Sequence, residues 1–182
     1  MPGPDTSIVI RPATPADLPA IGRLGALLVR IHHELDPARF IAATSQTQYG
    51  YASFLGSQLQ DPTVLVLVAE RGGDVLGYTY AAVEGNDYMA LRGPAGVLHD
   101  IVVDPDHRQE GVGRMLLDAT LAWLQAHGAP RVVLSTAEGN EEAQRLFARA
   151  GFRRTMIEMT REGSVKATSD TEPGRLSVPP LD

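Results

Sequence analysis

The chain has no cysteine. That removes disulfides, thiolate metal sites and any cysteine acyl-enzyme together. It also lacks an excess of positive charge: with 16 Lys and Arg against 22 Asp and Glu, the formal net charge is −6. No basic face is available to draw in phosphate backbones, so nucleic acid is not an expected partner. Long apolar runs are missing too, none approaching the about 18 residues of a membrane span. The opening MPGPDTSIVIRPAT has no charged segment followed by an apolar one. A soluble, cytoplasmic protein with no membrane partner is therefore expected. There is no internal repeat.

At 182 residues and 43% hydrophobic content the chain is long enough for one well-buried domain and short for two. Three segments are expected: a flexible N-terminus over 1–6, a folded domain over 7–160, and a C-terminal tail over 161–182. The tail is rich in Ser, Thr, Pro, Gly and charge and is expected to be disordered or loosely packed. Oligomeric state is left at monomer or homodimer.

Periodicity divides the domain. SIVIR, residues 7–11, reads as a β-branched strand stopped by Pro12. Thr14-Pro15-Ala16-Asp17 places an N-cap, a proline and an acid at the start of a helix, and Leu18, Ile21, Leu24, Leu28 and Ile31 carry its apolar face to about His32. A second helix is expected from Thr47 to Leu59. Val64 to Ala69 and Val75 to Val83 flank Arg71-Gly72-Gly73-Asp74 as an antiparallel hairpin. Residues 85–96 are a Gly- and Pro-rich loop in which Tyr88 and Arg92 are the candidates for substrate contact. His32, His33, Glu34 and Asp36 gather ligand atoms, but adjacent helical residues diverge by about 100° and no i, i+4 His pair exists, so no metal is expected.

The most informative stretch is VLHDIVVDPDHRQEGVGR, Val97 to Arg114. An apolar strand ends at Asp104-Pro105, and Arg108-Gln109-Glu110-Gly111-Val112-Gly113 then leads into a helix whose stripe is Val112, Met115, Leu116, Ala119, Ala122, Trp123 and Ala126. Trp123 and Met115 belong to its core face. Free N–H groups at that helix start, with glycines that let a ligand approach, make an anion site. Arg131 to Thr136 is the next strand, and strand, helix, strand implies a right-handed crossover with parallel pairing. Asn140 caps a further helix ending at Gly151, and Phe152 to Thr160 reads as a closing strand.

Arg108-x-x-Gly111-x-Gly113 after a strand ending Val103-x-Pro105 resembles the acyl-CoA pyrophosphate loop of the GCN5-related N-acetyltransferases (GNAT). A second block, NEEAQRLFARAGF, matches that family at Asn140, Ala143, Leu146, the aromatic Phe147 and Gly151-Phe152, and Arg11, Thr14 and Asp17 match its usual opening. The resemblance implies an α/β (α+β) fold: a twisted, mostly antiparallel sheet of about six to seven strands, with a central parallel pair splayed apart and about four flanking helices. It implies an acetyl-CoA-dependent N-acetyltransferase working by direct transfer in a ternary complex, with a small-molecule or peptide amine as acceptor. The rival is an acyl-CoA-binding sensor or scaffold without turnover.

The family pattern assigns Arg108, Gln109, Glu110, Gly111, Val112, Gly113 and Arg114 to the pyrophosphate, and the backbone of Ile101, Val102 and Val103 to the pantetheine arm together with Asn140 and Phe147. Many family members carry a glutamate where this chain has His99, which is thus the candidate base; simple alternation puts Asp100 on the opposite sheet face. Many also carry a tyrosine where this chain has Phe147, which cannot protonate a departing thiolate. Tyr78, Tyr80 or Tyr88 could compensate, and Tyr88 is the candidate acid.

Overall fold

The computed structural model describes residues 7–163. Residues 1–6 and most of the expected tail, 164–182, lie outside it. In chain order the elements are β1 (Val9–Pro12), α1 (Leu18–Leu35), α2 (Thr47–Gln58), β2 (Val64–Arg71), β3 (Asp74–Glu84), β4 (Ala95–Val103), α3 (Val112–Ala126), β5 (Val132–Leu134) and α4 (Glu141–Arg149). Short 3₁₀ turns cover Pro15–Asp17 and Pro105–His107.

The strands lie in sequence order across one sheet. All pairs are antiparallel except β4 with β5. The parallel pair is the crossover expected from the strand, helix, strand pattern. The expected closing strand over Phe152–Thr160 does not form, which leaves five strands among the described residues instead of six or seven. Two features explain the difference. β5 is only three residues long and offers little ladder to a further strand. Side chains of the segment also bond elsewhere: Arg154 donates to Gln144 at 2.6 Å and Glu158 pairs with Arg39. Met156, Ile157 and Met159 are consequently exposed.

The sheet is covered on both faces. Alternation in β2 sends Val66 and Val68 to the face packed by Ile21, Leu24 and Leu55 of α1 and α2. Leu65, Leu67 and Ala69 point the other way, against Val112 and Leu116 of α3. A third cluster, Ala81, Leu98, Leu117, Leu124 and Phe147, joins the sheet to α3 and α4.

α1 and α2 approach closely through glycine. A Cβ on Gly25 would stand 2.3 Å from the Tyr51 ring, and one on Gly22 2.3 Å from the Gln48 carbonyl oxygen. Only a residue without a side chain lets α2 seat Tyr51 against α1.

The N-terminal turn is fixed by charge. The Arg11 guanidinium donates to both oxygens of Asp17, Nη1 to Oδ2 at 2.8 Å and Nη2 to Oδ1 at 2.9 Å, and its Nε reaches Glu70 at 2.6 Å. Asp17 also accepts from the backbone N–H and the hydroxyl of Thr14, at 2.7 and 2.9 Å. These bonds hold the carboxyl, 6% exposed, well below the usual carboxylate range. A depressed folded pKa contributes stability that is complete above the ordinary carboxylate range and is lost progressively as pH falls below that range toward the lowered folded value. Asp17→Asn is expected to cost about 2 kcal/mol at pH 7, short of the roughly 3–5 kcal/mol of a fully buried pair because Arg11 is partly exposed. Urea unfolding at pH 7 and pH 3 checks this: the gap between wild type and variant should narrow in acid.

Candidate active site

The site forms where β4 and β5 part. Their pairing runs through Gly96–Val132, Val97–Val133 and Leu98–Leu134 and then stops. Beyond Leu98 the outer edge of β4, including Ile101, Val102 and Val103, has no strand partner among the described residues. A cavity of about 290 Å³ opens into the gap, walled by Leu134, Ser135, Thr136, Asn140 and Phe147 on the β5–α4 side and by His32 and Phe40 on the α1 side.

A β-bulge lies at the same point. Tyr80 pairs with Asp100 but Ala81 pairs with Leu98, so His99 is the extra residue of β4. This corrects the expectation that His99 and Asp100 occupy opposite faces. Leu98 and Ile101 both pack toward α3, while His99 and Asp100 both line the cavity on the α1–α2 side. A one-residue slip reverses the facing of everything beyond it, and the bulge is that slip.

A second cavity, about 460 Å³, lies between α2 and the sheet and is lined by Gly50, Tyr51, Phe54, Tyr80, His99 and Asp100. Tyr51, His99 and Asp100 line both cavities. They are the wall and the junction between the two spaces.

Each group at the junction has a defined partner. His99 Nε2 lies 2.8 Å from Glu84 Oε1, and its ring stacks on Tyr80 with centroids 4.8 Å apart. Glu84 is shared with Arg92, whose Nη2 donates to Oε2 at 2.8 Å. The Tyr78 hydroxyl, fully buried, donates to Asp100 Oδ2 at 2.9 Å. Burial raises the Asp100 pKa against the lowering effects of Tyr78, His99 and His32. Burial also pushes the Tyr51 hydroxyl up to about 12, with the Asp100 charge adding to it. Tyr78 is raised further for the same reasons, so its proton is held by Asp100 and is not free to be donated.

The residues expected at the anion loop are brought together at the N-terminus of α3. Gln109 and Gly111 both hold left-handed backbone, φ 65° and 84°, which costs a non-glycine roughly 1 kcal/mol or more. The amides of Val112, Gly113 and Arg114 make no hydrogen bond among the described residues and start the helix dipole. A Cβ at Gly111 would meet nothing within 4 Å. The loop is pinned from β2, where Arg71 donates to Glu110 at 2.5 Å and lies 3.1 Å from His107 Nδ1. Sequence reading did not find Arg71, which is distant in the chain. Arg108 lies 3.9 Å from Glu142 on α4, whereas Arg114 turns along α3 to Asp118 at 2.8 Å, away from the loop. Free amides, open space and a dipole suit a pyrophosphate.

Asn140 caps α4, its Oδ1 accepting from Ala143 N at 3.2 Å, and also lines the first cavity. Phe147, 6% exposed, lines that cavity against Phe152. Tyr88 is 81% exposed in the loop after β3 and lines neither cavity. His32 and His33 bind backbone carbonyls, of Leu28 at 2.9 Å and Phe40 at 2.8 Å. Tyr51, which no motif marks, is the functional candidate that sequence reading missed. Only its place on the face of α2 toward Gly25 could have signalled it.

Residues 28–152 match the acetyltransferase (GNAT) family. The chain belongs to that family. The match takes in α2, the whole of β2 to α4, the anion loop and both cavities. Mycothiol acetyltransferase of Thermobispora bispora is 37% identical over 103 residues, 54% of this chain and 33% of that protein. The matched part thus spans about a third of the length of that relative. A GCN5-related N-acetyltransferase from Ralstonia eutropha JMP134 superposes with a TM-score of 0.66 at 25% identity, covering 87% of this chain and 99% of that one. AAC(6′)-Iy in complex with the bisubstrate analogue CoA-S-monomethyl-acetylneamine superposes with a TM-score of 0.64 at 20% identity, over 86% of this chain and 98% of that one. The last shows likeness of fold. No helix among the described residues is long and apolar enough to cross a membrane.

A pyrophosphate seated on these amides would be displaced by a carboxylate placed in the open space at Gly111. Gly111→Glu is expected to raise the Kd for CoA more than about tenfold, measured by calorimetry, with the fold retained by circular dichroism. Unchanged affinity would put the anion elsewhere.

Proposed function

We propose that the protein is an acetyl-CoA-dependent N-acetyltransferase that transfers the acetyl group directly to a primary amine within a ternary complex. The observation that carries this reading is the junction: one cavity opens along the unpaired edge of β4, the other along α2, and His99, Asp100 and Tyr51 face both. The α3 amides and Arg108 bind the pyrophosphate. Backbone groups of Ile101 to Val103, with Asn140 and Phe147 opposite, hold the pantetheine arm and bring the thioester to the junction.

An aliphatic ammonium, pKa near about 10, must lose a proton before its nitrogen can attack. His99 accepts it, directly or through one water, and Glu84 orients the ring and supports the charge it gains. The new C–N bond forms as the C–S bond breaks, the electron pair leaves with sulfur, and the second proton that the nitrogen must lose to become an amide passes to the departing sulfur or to water. Tyr51, which lines both cavities, hydrogen-bonds that thiolate in the role Phe147 cannot fill; with its pKa raised it stabilises the sulfur charge more readily than it gives up a proton. A thiol of pKa about 8.5 leaves tolerably without full protonation.

A second reading, acyl-CoA binding without turnover, rests on the missing hydroxyl at Phe147. CoA release at pH 7 with a panel of amines separates the two. The enzyme reading expects turnover, and His99→Ala should lower kcat about 10²-fold with the KM for acetyl-CoA within about twofold. Tight acetyl-CoA binding with no release on any amine would favour the second reading.

A further inference from the structure

The cavity between α2 and the sheet has a chemical character that narrows the acceptor; this inference rests on the transferase reading above. Three of its six lining residues are aromatic, Tyr51, Phe54 and Tyr80, and a fourth, His99, adds a ring stacked on Tyr80. Phe54 meets Tyr80 edge to face at 5.7 Å, yet it remains 51% exposed, an apolar lip at the mouth of the space. The single carboxylate among the lining residues is that of Asp100, at the junction with the first cavity. No lysine or arginine lines the cavity, and the nearby Arg92 is committed to Glu84 and Asp87.

These features set requirements on an occupant. Its positive end belongs beside Asp100, whose Oδ1 makes no hydrogen bond among the described residues and offers an acceptor at the junction where His99 also lies. Its body must be apolar, because Phe54 and Tyr80 present ring faces and edges and few hydrogen-bonding groups. A carboxylate or phosphate on it would find no cation to pair with and would stand near Asp100 and Glu84.

We propose that this cavity, on the acceptor side of the junction, selects a primary amine on a flat apolar or aromatic body without an anionic group, its ammonium recruited by Asp100 and its body packed against the Phe54–Tyr80 pair. Asp100 binds and positions the nitrogen; His99 takes its proton.

The test measures CoA release by the full chain at saturating acetyl-CoA with four amines of graded character. 2-Phenylethylamine has the ring and one charge, n-butylamine the charge without the ring, phenylalanine an added carboxylate, and neamine several charges and hydroxyls. The expected kcat/KM for 2-phenylethylamine is at least roughly tenfold above each of the others. Phe54→Ala, at an exposed position that should not disturb folding, is expected to remove roughly tenfold for 2-phenylethylamine and less than about twofold for n-butylamine. Asp100→Asn, which keeps an acceptor for the Tyr78 hydroxyl, should raise the amine KM about tenfold or more and leave the KM for acetyl-CoA unchanged. Preference for phenylalanine or neamine, an equal effect of Phe54→Ala on both simple amines, or a loss confined to kcat in Asp100→Asn would overturn the assignment while leaving the transferase reading intact. Turnover of none of the four by a wild-type protein that binds acetyl-CoA would overturn both.

Discussion

Three residue pairs between β4 and β5 hold the parallel strands together, and the site exists because there is no fourth. A longer ladder would close the gap that the first cavity occupies and would engage the backbone edge at Ile101 to Val103. The bulge at His99 works at the same point. By inserting one residue it turns two successive polar side chains to one side of the sheet, where strict alternation would have buried one of them against α3. β4 is anchored on its other edge by an antiparallel register with β3 that runs from Gly77–Val103 to Glu84–Ala95, and Leu98 and Ile101 are packed against α3.

Around this opening, charges are paired in a way that leaves one carboxylate distinct. Glu84 has both Arg92 and His99, Glu110 has Arg71, and Asp17 has Arg11. Among the described residues the hydrogen bond to Asp100 comes from the neutral Tyr78 hydroxyl, and in the aromatic-lined cavity its burial outweighs the nearby His99 and His32. Its raised pKa is the cost of an unneutralised charge in that setting. A cation arriving beside it would relieve that cost.

Much of the scaffold was legible in the sequence because it rests on local signals. The periodicity of α1 and α3, the Gly72-Gly73 turn, the Asn140 cap and the Arg108 to Gly113 loop all depend on neighbouring residues and were placed to within a few positions. The closing strand was not, since nothing in Phe152 to Thr160 reveals that β5 is too short to receive it. The bulge is likewise a property of pairing: only the register against β3 shows that His99 is supernumerary. Tyr51 was hidden for a third reason, that its position depends on Gly25 across a helix–helix contact. Long-range geometry therefore decided which side chains meet at the junction, while short-range chemistry decided the elements that frame it.

In the proposed mechanism donor and acceptor occupy two adjoining cavities at once and react across His99 and Asp100. No cysteine is present to carry an acyl thioester, and two adjoining cavities are what direct transfer would need. Initial velocities measured while acetyl-CoA and amine are varied together test this most directly. Double-reciprocal plots should intersect to the left of the ordinate, as a ternary complex requires; a family of parallel lines would show that the acetyl group leaves CoA before the amine binds, and would contradict the account.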